Sequence, residues 1–208
     1  LQINYNYITV SGEVEDMPSL YNRKKGVDYY LIHIAYVRTS NTKDYLDIIA
    51  PFELIKKINW NDTKGIVARG TLRNFTATNK DTYNNLVVLA EEVQECEDYG
   101  LTNEVDLEGY VCNDTYLRET PSGRLLTDIT LAVNREHGAD YIQCITWGRI
   151  AKDSTKLDVG DYVSIKGRLQ SRMYFKKTGD EYVGITVREV SVTDLSVLRK
   201  KRGEVNAV

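Results

Sequence analysis

Val105-Asp106-Leu107-Glu108-Gly109-Tyr110-Val111 repeats, one domain-length later, the pattern of Ile8-Thr9-Val10-Ser11-Gly12-Glu13-Val14. Three more stretches recur. Ala35-Tyr36-Val37-Arg38 returns as Ala132-Val133-Asn134-Arg135, Arg69-Gly70-Thr71-Leu72 as Lys166-Gly167-Arg168-Leu169, and Glu92-Val93 as Glu189-Val190. Gly12 and Gly109, Arg38 and Arg135, Gly70 and Gly167, and Glu92 and Glu189 are each 97 positions apart. A constant offset over four separated segments identifies a duplicated module. The chain is expected to divide into domains 1–97 and 103–197, with a short acidic linker across residues 95–103 and a basic tail, 198–208, that frays.

Each module reads as five strands. In the second they fall near 104–112, 125–135, 139–147, 160–171 and 181–193, with Leu125, Thr127, Ile129, Leu131 and Val133 on one face by alternation. In the first they fall near 5–16, 27–39, 43–50, 64–74 and 83–94. A short helix follows the third strand in each. Ile150 and Ala151 face the core from residues 149–156, and Pro51 opens a helix on which Phe52, Ile55 and Ile58 recur at helical spacing. Five strands with one helix after the third is the order of the OB-fold, a small Greek-key barrel. The expected class is all-β with one short helix per domain, as two tandem five-stranded OB-fold barrels.

Modules of this size bury a core without disulfides. No apolar run approaches the roughly 20 residues that cross a bilayer, so no membrane partner is expected. Leu1-Gln2-Ile3-Asn4-Tyr5 lacks the basic and apolar segments of a signal peptide. Cys96, Cys112 and Cys144 form no close pair, which suits a reducing cytoplasm. The only histidines are His33 and His137, and no metal-ligand spacing or phosphate-binding glycine loop occurs, so no cofactor is expected. No Ser/His/Asp or Cys/His set points to an enzyme. Net charge is −3; residues 1–100 hold 11 Lys+Arg against 14 Asp+Glu, and the remainder hold 16 of each. A binding groove needs only local positive potential, so the placement of the cations decides.

The second module carries the most specific segments. Leu117-Arg118-Glu119-Thr120-Pro121-Ser122-Gly123 precedes Ile129-Thr130-Leu131-Ala132-Val133-Asn134-Arg135. Asp140-Tyr141-Ile142 leads to Trp147-Gly148-Arg149-Ile150-Ala151, and Lys166-Gly167-Arg168-Leu169-Gln170-Ser171-Arg172 follows. In order and spacing, residues 103–197 resemble the bacterial single-stranded DNA-binding protein family; the first module resembles it only through its offset match to the second. The resemblance implies stacking rings on the third strand, at its end, and on the hairpin between strands four and five. Here these fall on Tyr141, Trp147 and Tyr174, with Phe175 beside the last and His137 at a fourth, post-strand-two position. Single strands are held without sequence readout when bases stack on rings and phosphates meet Lys or Arg. The phosphate candidates are Arg118, Arg124, Arg135, Arg149, Lys166, Arg168, Arg172, Lys176 and Lys177.

Plainer readings stand beside these. Trp147 also reads as a barrel-packing ring, Tyr141 as half-buried sheet surface, and Arg118 and Arg124 as solvated charge flanking a turn. Tyr174 and Phe175 point to opposite faces of the arm at 169–180. In the first module Tyr45 matches Tyr141, and Phe75 lies on the corresponding hairpin with Arg73, Lys80 and Tyr83. Trp147 has only Ala50-Pro51-Phe52 as its match, and the turn segment is replaced by Tyr21-Asn22-Arg23-Lys24-Lys25-Gly26. The second domain is therefore expected to bind more tightly.

The resemblance implies sequence-independent binding and protection of single-stranded DNA in replication, recombination or repair, in the cytoplasm with the nucleoid. It also implies a homodimer with four OB domains around the strand. Family members recruit enzymes through an acidic-hydrophobic tip; here Glu204-Val205-Asn206-Ala207-Val208 follows a basic cluster, so that recruitment is not expected. The competing class is an OB-fold adaptor of a primosome or mobile element acting through protein contacts. OB barrels also bind RNA and oligosaccharides, so fold alone does not choose the ligand.

Overall fold

The computed structural model describes residues 3–75, 85–179 and 181–201, without the side chains of residues 85, 174, 176–178 and 181. The elements are β1 (Asn6–Val14), β2 (Ser19–Lys24), β3 (Val27–Val37), β4 (Lys43–Pro51), α1 (Phe52–Ile55), β5 (Gly65–Phe75) and β6 (Asn85–Glu95). They continue with β7 (Asn103–Val111), β8 (Arg118–Glu119), β9 (Leu125–Arg135), β10 (Gly138–Trp147), α2 (Gly148–Ser154), β11 (Tyr162–Thr178) and β12 (Glu181–Arg199). The chain forms two compact units: Asn6–Val105 with Arg168–Glu189, and Leu1–Tyr5 with Asp106–Gly167 and Val190–Val208.

In the unit built on Asn6–Val105, strands pair in the order β3-β4-β6-β5-β1, and β1 returns to β3. The barrel is closed, with β4 and β6 parallel at Ile48↔Val88 and Ile49↔Leu89. Alternation fills it: Ile8, Val10, Ile32, Ile34, Leu46, Ile48, Ile66 and Leu72 have no exposure. Each such Val, Ile or Leu contributes about 1.5–3 kcal/mol. β2 is exposed along its whole length and has no apolar alternation, which is why it is not among the strands expected from the sequence. Its pairing comes from the turn. Lys25 and Gly26 have φ of +50° and +80°, the left-handed pair that a two-residue hairpin requires.

The other unit repeats the design in the order β9-β10-β12-β11-β7, with β7 returning to β9 and β8 flanking it. The closing register is kept. Glu13↔Ala35 and Val14↔Ile34 recur as Tyr110↔Ala132 and Val111↔Leu131. So does a side-chain clamp: Asn6 bonds the backbone of Leu72 at 2.8 and 2.9 Å, and Asn103 that of Leu169 at 2.8 and 2.8 Å. The last strand departs. Val88 and Leu89 pair with β4 where Val190 and Ser191 pair with β10, a displacement of 102 positions. The match of Glu92-Val93 to Glu189-Val190 is therefore corrected: it is a likeness of letters, not of place. The cause is a longer hairpin, 17 and 19 residues in β11 and β12 against 11 and 11 in β5 and β6.

The distal hairpin, Arg168–Glu189, is counted with Asn6–Val105, and a buried polar network shows why. Asp44 has no exposure and accepts two bonds from Arg38 at 2.6 Å and the Ser171 N–H at 2.6 Å. Ser171 Oγ accepts the Tyr45 N–H at 2.9 Å, and Arg188 donates to the Tyr45 carbonyl at 2.9 Å and lies 2.7 Å from Asp47. Burial pulls the Arg188 guanidinium below its ordinary value while Asp47 opposes the shift. Removing one partner of such a pair leaves a charge desolvated. Arg188→Met should cost about 3 kcal/mol in denaturant unfolding and speed amide exchange at Tyr45.

The basic cluster after Leu198 is docked as far as Lys201, which corrects the fraying expected from 198; residues 202–208 lie outside the described residues. Arg199 sits 5.3 Å from the Tyr162 ring centre and donates to the Tyr110 hydroxyl at 2.8 Å. The fully buried Asp161 accepts Lys200 Nζ at 2.7 Å and the Lys201 N–H at 2.9 Å. Burial pushes the Asp161 carboxyl up, but bonds from Lys200 and the Asp158 and Lys201 backbone outweigh it and hold it below the usual carboxylate range. Its stabilisation is thus complete above that range and is lost as pH falls through the lowered value. Asp161→Asn should cost about 1–2 kcal/mol at neutral pH, and thermal unfolding of the variant should respond less to acid than that of the parent.

Candidate nucleic-acid interface

Strand β10 sorts its residues by parity. Asp140, Ile142, Cys144 and Thr146 turn inward and are buried; Tyr141, Gln143 and Trp147 turn outward, and Ile145, on their face, is covered. Tyr141 is 54% exposed and stands opposite Ala132, whose small side chain leaves the ring proud of the sheet. Gln143 and Thr130 join side chains at 3.2 Å to make a flat polar floor. Trp147 ends the strand opposite Leu126 and occupies the N-cap of α2. Gly148, at φ +56°, turns the chain away immediately after it. The indole is half-buried, and the Arg124 guanidinium covers one face at 4.4 Å from the ring centre. Six residues of strand separate the two rings by roughly 20 Å, room for several stacked bases.

Cations collect at the Trp147 end. Arg118 pairs in register with Leu126, next to Trp147, and ion-pairs with Asp128; Arg149 is exposed in the first turn of α2. The remaining sequence candidates of this unit lie away from that end. Arg135 lies 3.4 Å from Asp140 and donates to the His137 carbonyl, so it braces the β9–β10 turn. His137, in that turn, is exposed beyond the Tyr141 end of the strand. Lys166 is 3.7 Å from Asp106.

A second set gathers in the unit built on Asn6–Val105. Tyr45 is 48% exposed on β4 and lines a cleft of about 340 Å³ with Arg38, Lys43, Arg172, Met173 and Thr186. Lys43 and Met173 were not singled out from the sequence; for Lys43 the alternation of β4, with Asp44 and Leu46 buried, was the available signal. Arg172 is 3.3 Å from Glu189. Phe175 is 59% exposed, and its ring lies with Met173 over Gly184, which has no side chain to lift it away. Arg168 is half-buried with its Nε unpartnered. Arg73 stacks at 5.5 Å over Phe75. The side chains of Tyr174, Lys176 and Lys177, and all of Lys80 and Tyr83, lie outside the described residues.

Charge and chemistry limit what either surface does. Among the described residues no cluster of three or more His, Cys, Asp or Glu is placed to hold a metal ion, and no helix is long and apolar enough to cross a membrane. Both surfaces join planar rings to cations, which suits a flat, anionic polymer.

Comparison with known proteins agrees. The model of the single-strand binding protein family matches residues 102–198. Single-stranded DNA-binding protein A of Bacillus subtilis is 36% identical over 111 residues, 50% of this chain and 63% of that protein. Single-stranded DNA-binding protein 2 of Listeria innocua is 37% identical over 87 residues, 38% of this chain, which spans 55% of it. Single-stranded DNA-binding protein 1 of Streptococcus pyogenes is 32% identical over 114 residues, 51% of this chain and 85% of that protein. The crystal structure of the wild-type single-stranded DNA binding protein of Thermus aquaticus superposes with a TM-score of 0.73 at 21% identity, covering 100% of this chain and 98% of that one. That likeness extends the fold to both repeats.

Proposed function

The chain belongs to the single-strand binding protein family, and we propose that it binds and protects single-stranded DNA without reading its sequence. Unpaired bases stack on exposed rings while Lys and Arg meet the phosphates. The observation that carries this reading is the outer face of β10, where Tyr141 and the Arg124-capped Trp147 stand on one sheet surface with Arg118 and Arg149 at its end. A guanidinium plane stacks on bases as a ring does, so Arg124 enlarges the platform rather than blocking it. Tyr45, Phe75 and the arm residues Arg172 and Phe175 provide the second surface. The role is non-enzymatic and belongs to replication, recombination or repair in the cytoplasm, on the nucleoid. The repeated modules of this proposal are 1–97 and 103–197, the distal hairpin Arg168–Glu189 of the second being counted with the first unit, and a homodimer brings four barrels to one strand. The second module's specific segments support its being the tighter binder.

Titration with oligothymidylate should quench intrinsic fluorescence, and affinity should fall steeply with salt as counterions are released. Trp147→Ala and Tyr141→Ala should each lose about 1–3 kcal/mol. Arg118→Ala should lower the slope of log K against log salt by about one. No quenching by the parent protein, or unchanged affinity in both folded ring variants, sinks the assignment.

A further inference from the structure

Pro51 stands in the first repeat where the second has Trp147. Each is the N-cap of the helix after the third strand, and Pro51 pairs with Tyr29 as Trp147 does with Leu126. The first repeat nevertheless gathers three rings at another place. In β2, Leu20 faces Tyr30 and Asn22 faces Tyr29, so Tyr21 is the extra residue of a β-bulge. A bulge re-aims the side chain it carries. Here the Tyr21 ring comes to 6.4 Å from Phe75 on β5, with the planes tilted by 59°. Tyr29 closes the third side, and the rings bound a cavity of about 130 Å³.

Ile49 and Leu89 complete its apolar wall, and the remaining lining is polar and cationic. Asn22, Lys24 and Arg73 reach the cavity, and no carboxylate is among its described lining residues. Lys24 is exposed on β2, and Arg73 lies over the Phe75 ring. Among the described residues the second repeat has no such arrangement. Ninety-seven positions on from Tyr29 and Phe75 it carries Leu126 and Arg172. Its β8 pairs Arg118 directly with Leu126, without a bulge.

We infer that the first repeat holds one unpaired nucleobase in this socket, stacked against Tyr21 and Phe75, with Lys24 and Arg73 on the adjoining phosphates. The inference rests on the single-strand reading above and adds to it a contact not formed among the described residues of the second repeat. Three rings and two cations around a volume this small suit a flat heterocycle on an anionic backbone. An apolar protein side chain would have no use for the cations. Asn22 offers both a donor and an acceptor to the edge of the base. The two repeats thus place their rings at different points of one barrel: at the end of the third strand in the second, and between the β2 bulge and the fourth strand in the first.

The test uses the full chain and an oligothymidylate of about 30 nucleotides, long enough to engage two barrels. Tyr21→Ala and Phe75→Ala should each weaken binding about 5- to 150-fold, the span of one lost stacking contact. The double variant should lose less than the product of the two, because both rings serve one base. Tyr21→Phe should stay within about twofold of the parent, and bromodeoxyuridine in the strand should photocrosslink to Tyr21 or Phe75. The socket is overturned if both alanine variants, folded by circular dichroism, bind within about twofold of the parent while Tyr141→Ala still loses affinity. Equal losses in Tyr21→Ala and Tyr21→Phe also overturn it. Absence of binding by the parent chain overturns the single-strand reading instead.

Discussion

Each barrel closes over two glycines whose neighbours leave no space for a side chain. A Cβ on Gly12 would meet the Ala35 carbonyl oxygen at 2.8 Å, and one on Gly109 the Ala132 carbonyl oxygen at 2.6 Å. Gly70 and Gly167 are pressed in the same way against the carbonyls of Leu89 and Ser191. Closure joins the first strand to the second and leaves no free edges in the barrel. It also fixes register. A slip of one residue in β10 would send Tyr141 and Trp147 into the core and bring Asp140 and Thr146 out. The exposed rings therefore depend on the glycines, although none of the four touches the site.

A closed core can be kept while its surface changes. The two repeats share the glycine contacts, the register of the first and second strands and the asparagine clamps. They differ where solvent is near, in Trp147 against Pro51 and Arg172 against Phe75, and beneath the first of these in buried Leu126 against half-buried Tyr29. The polar network at Tyr45 belongs between these extremes. Asp44 and Arg188 are desolvated, which costs free energy that apolar packing would not, but each bond is directional. The network fixes the Tyr45 backbone by its N–H and its carbonyl, holding an exposed ring on a defined stretch of strand.

The parts of this fold legible in sequence are those with a period. Alternation located the barrel strands, and the repeated glycines and Arg38/Arg135 located the duplication. β2 was missed because Ser19–Lys24 is exposed on both faces and therefore has no period; only the left-handed pair Lys25-Gly26 marks it. The fifth strand was placed five residues out of equivalence because Glu-Val is too short a match to carry a register. Long-range partners left no local trace at all. Arg124 was foreseen as a cation but not as the cover of Trp147, and Tyr21 was seen in a basic segment but not as the bulge that meets Phe75. Both depend on strands far apart in the chain.

Electrostatics explains how an acidic chain can present an anion-binding surface. Two of the cations near the rings are lent to carboxylates that solvent reaches: Arg118 to Asp128, and Lys43 to Glu13 and Glu15 at 3.7 and 3.8 Å. Exposed pairs of this kind are worth about 0–1 kcal/mol. A phosphate can displace such a carboxylate at little cost, because the cation changes one weak partner for another and the strand releases its counterions. The resident carboxylates hold the long side chains near the rings before the strand arrives, which reduces the ordering entropy of association. In the proposed role they would also compete with a bound strand wherever a cation is paired, so that no such phosphate is gripped hard. That balance suits the role proposed for the surface, to take up any sequence and give it back.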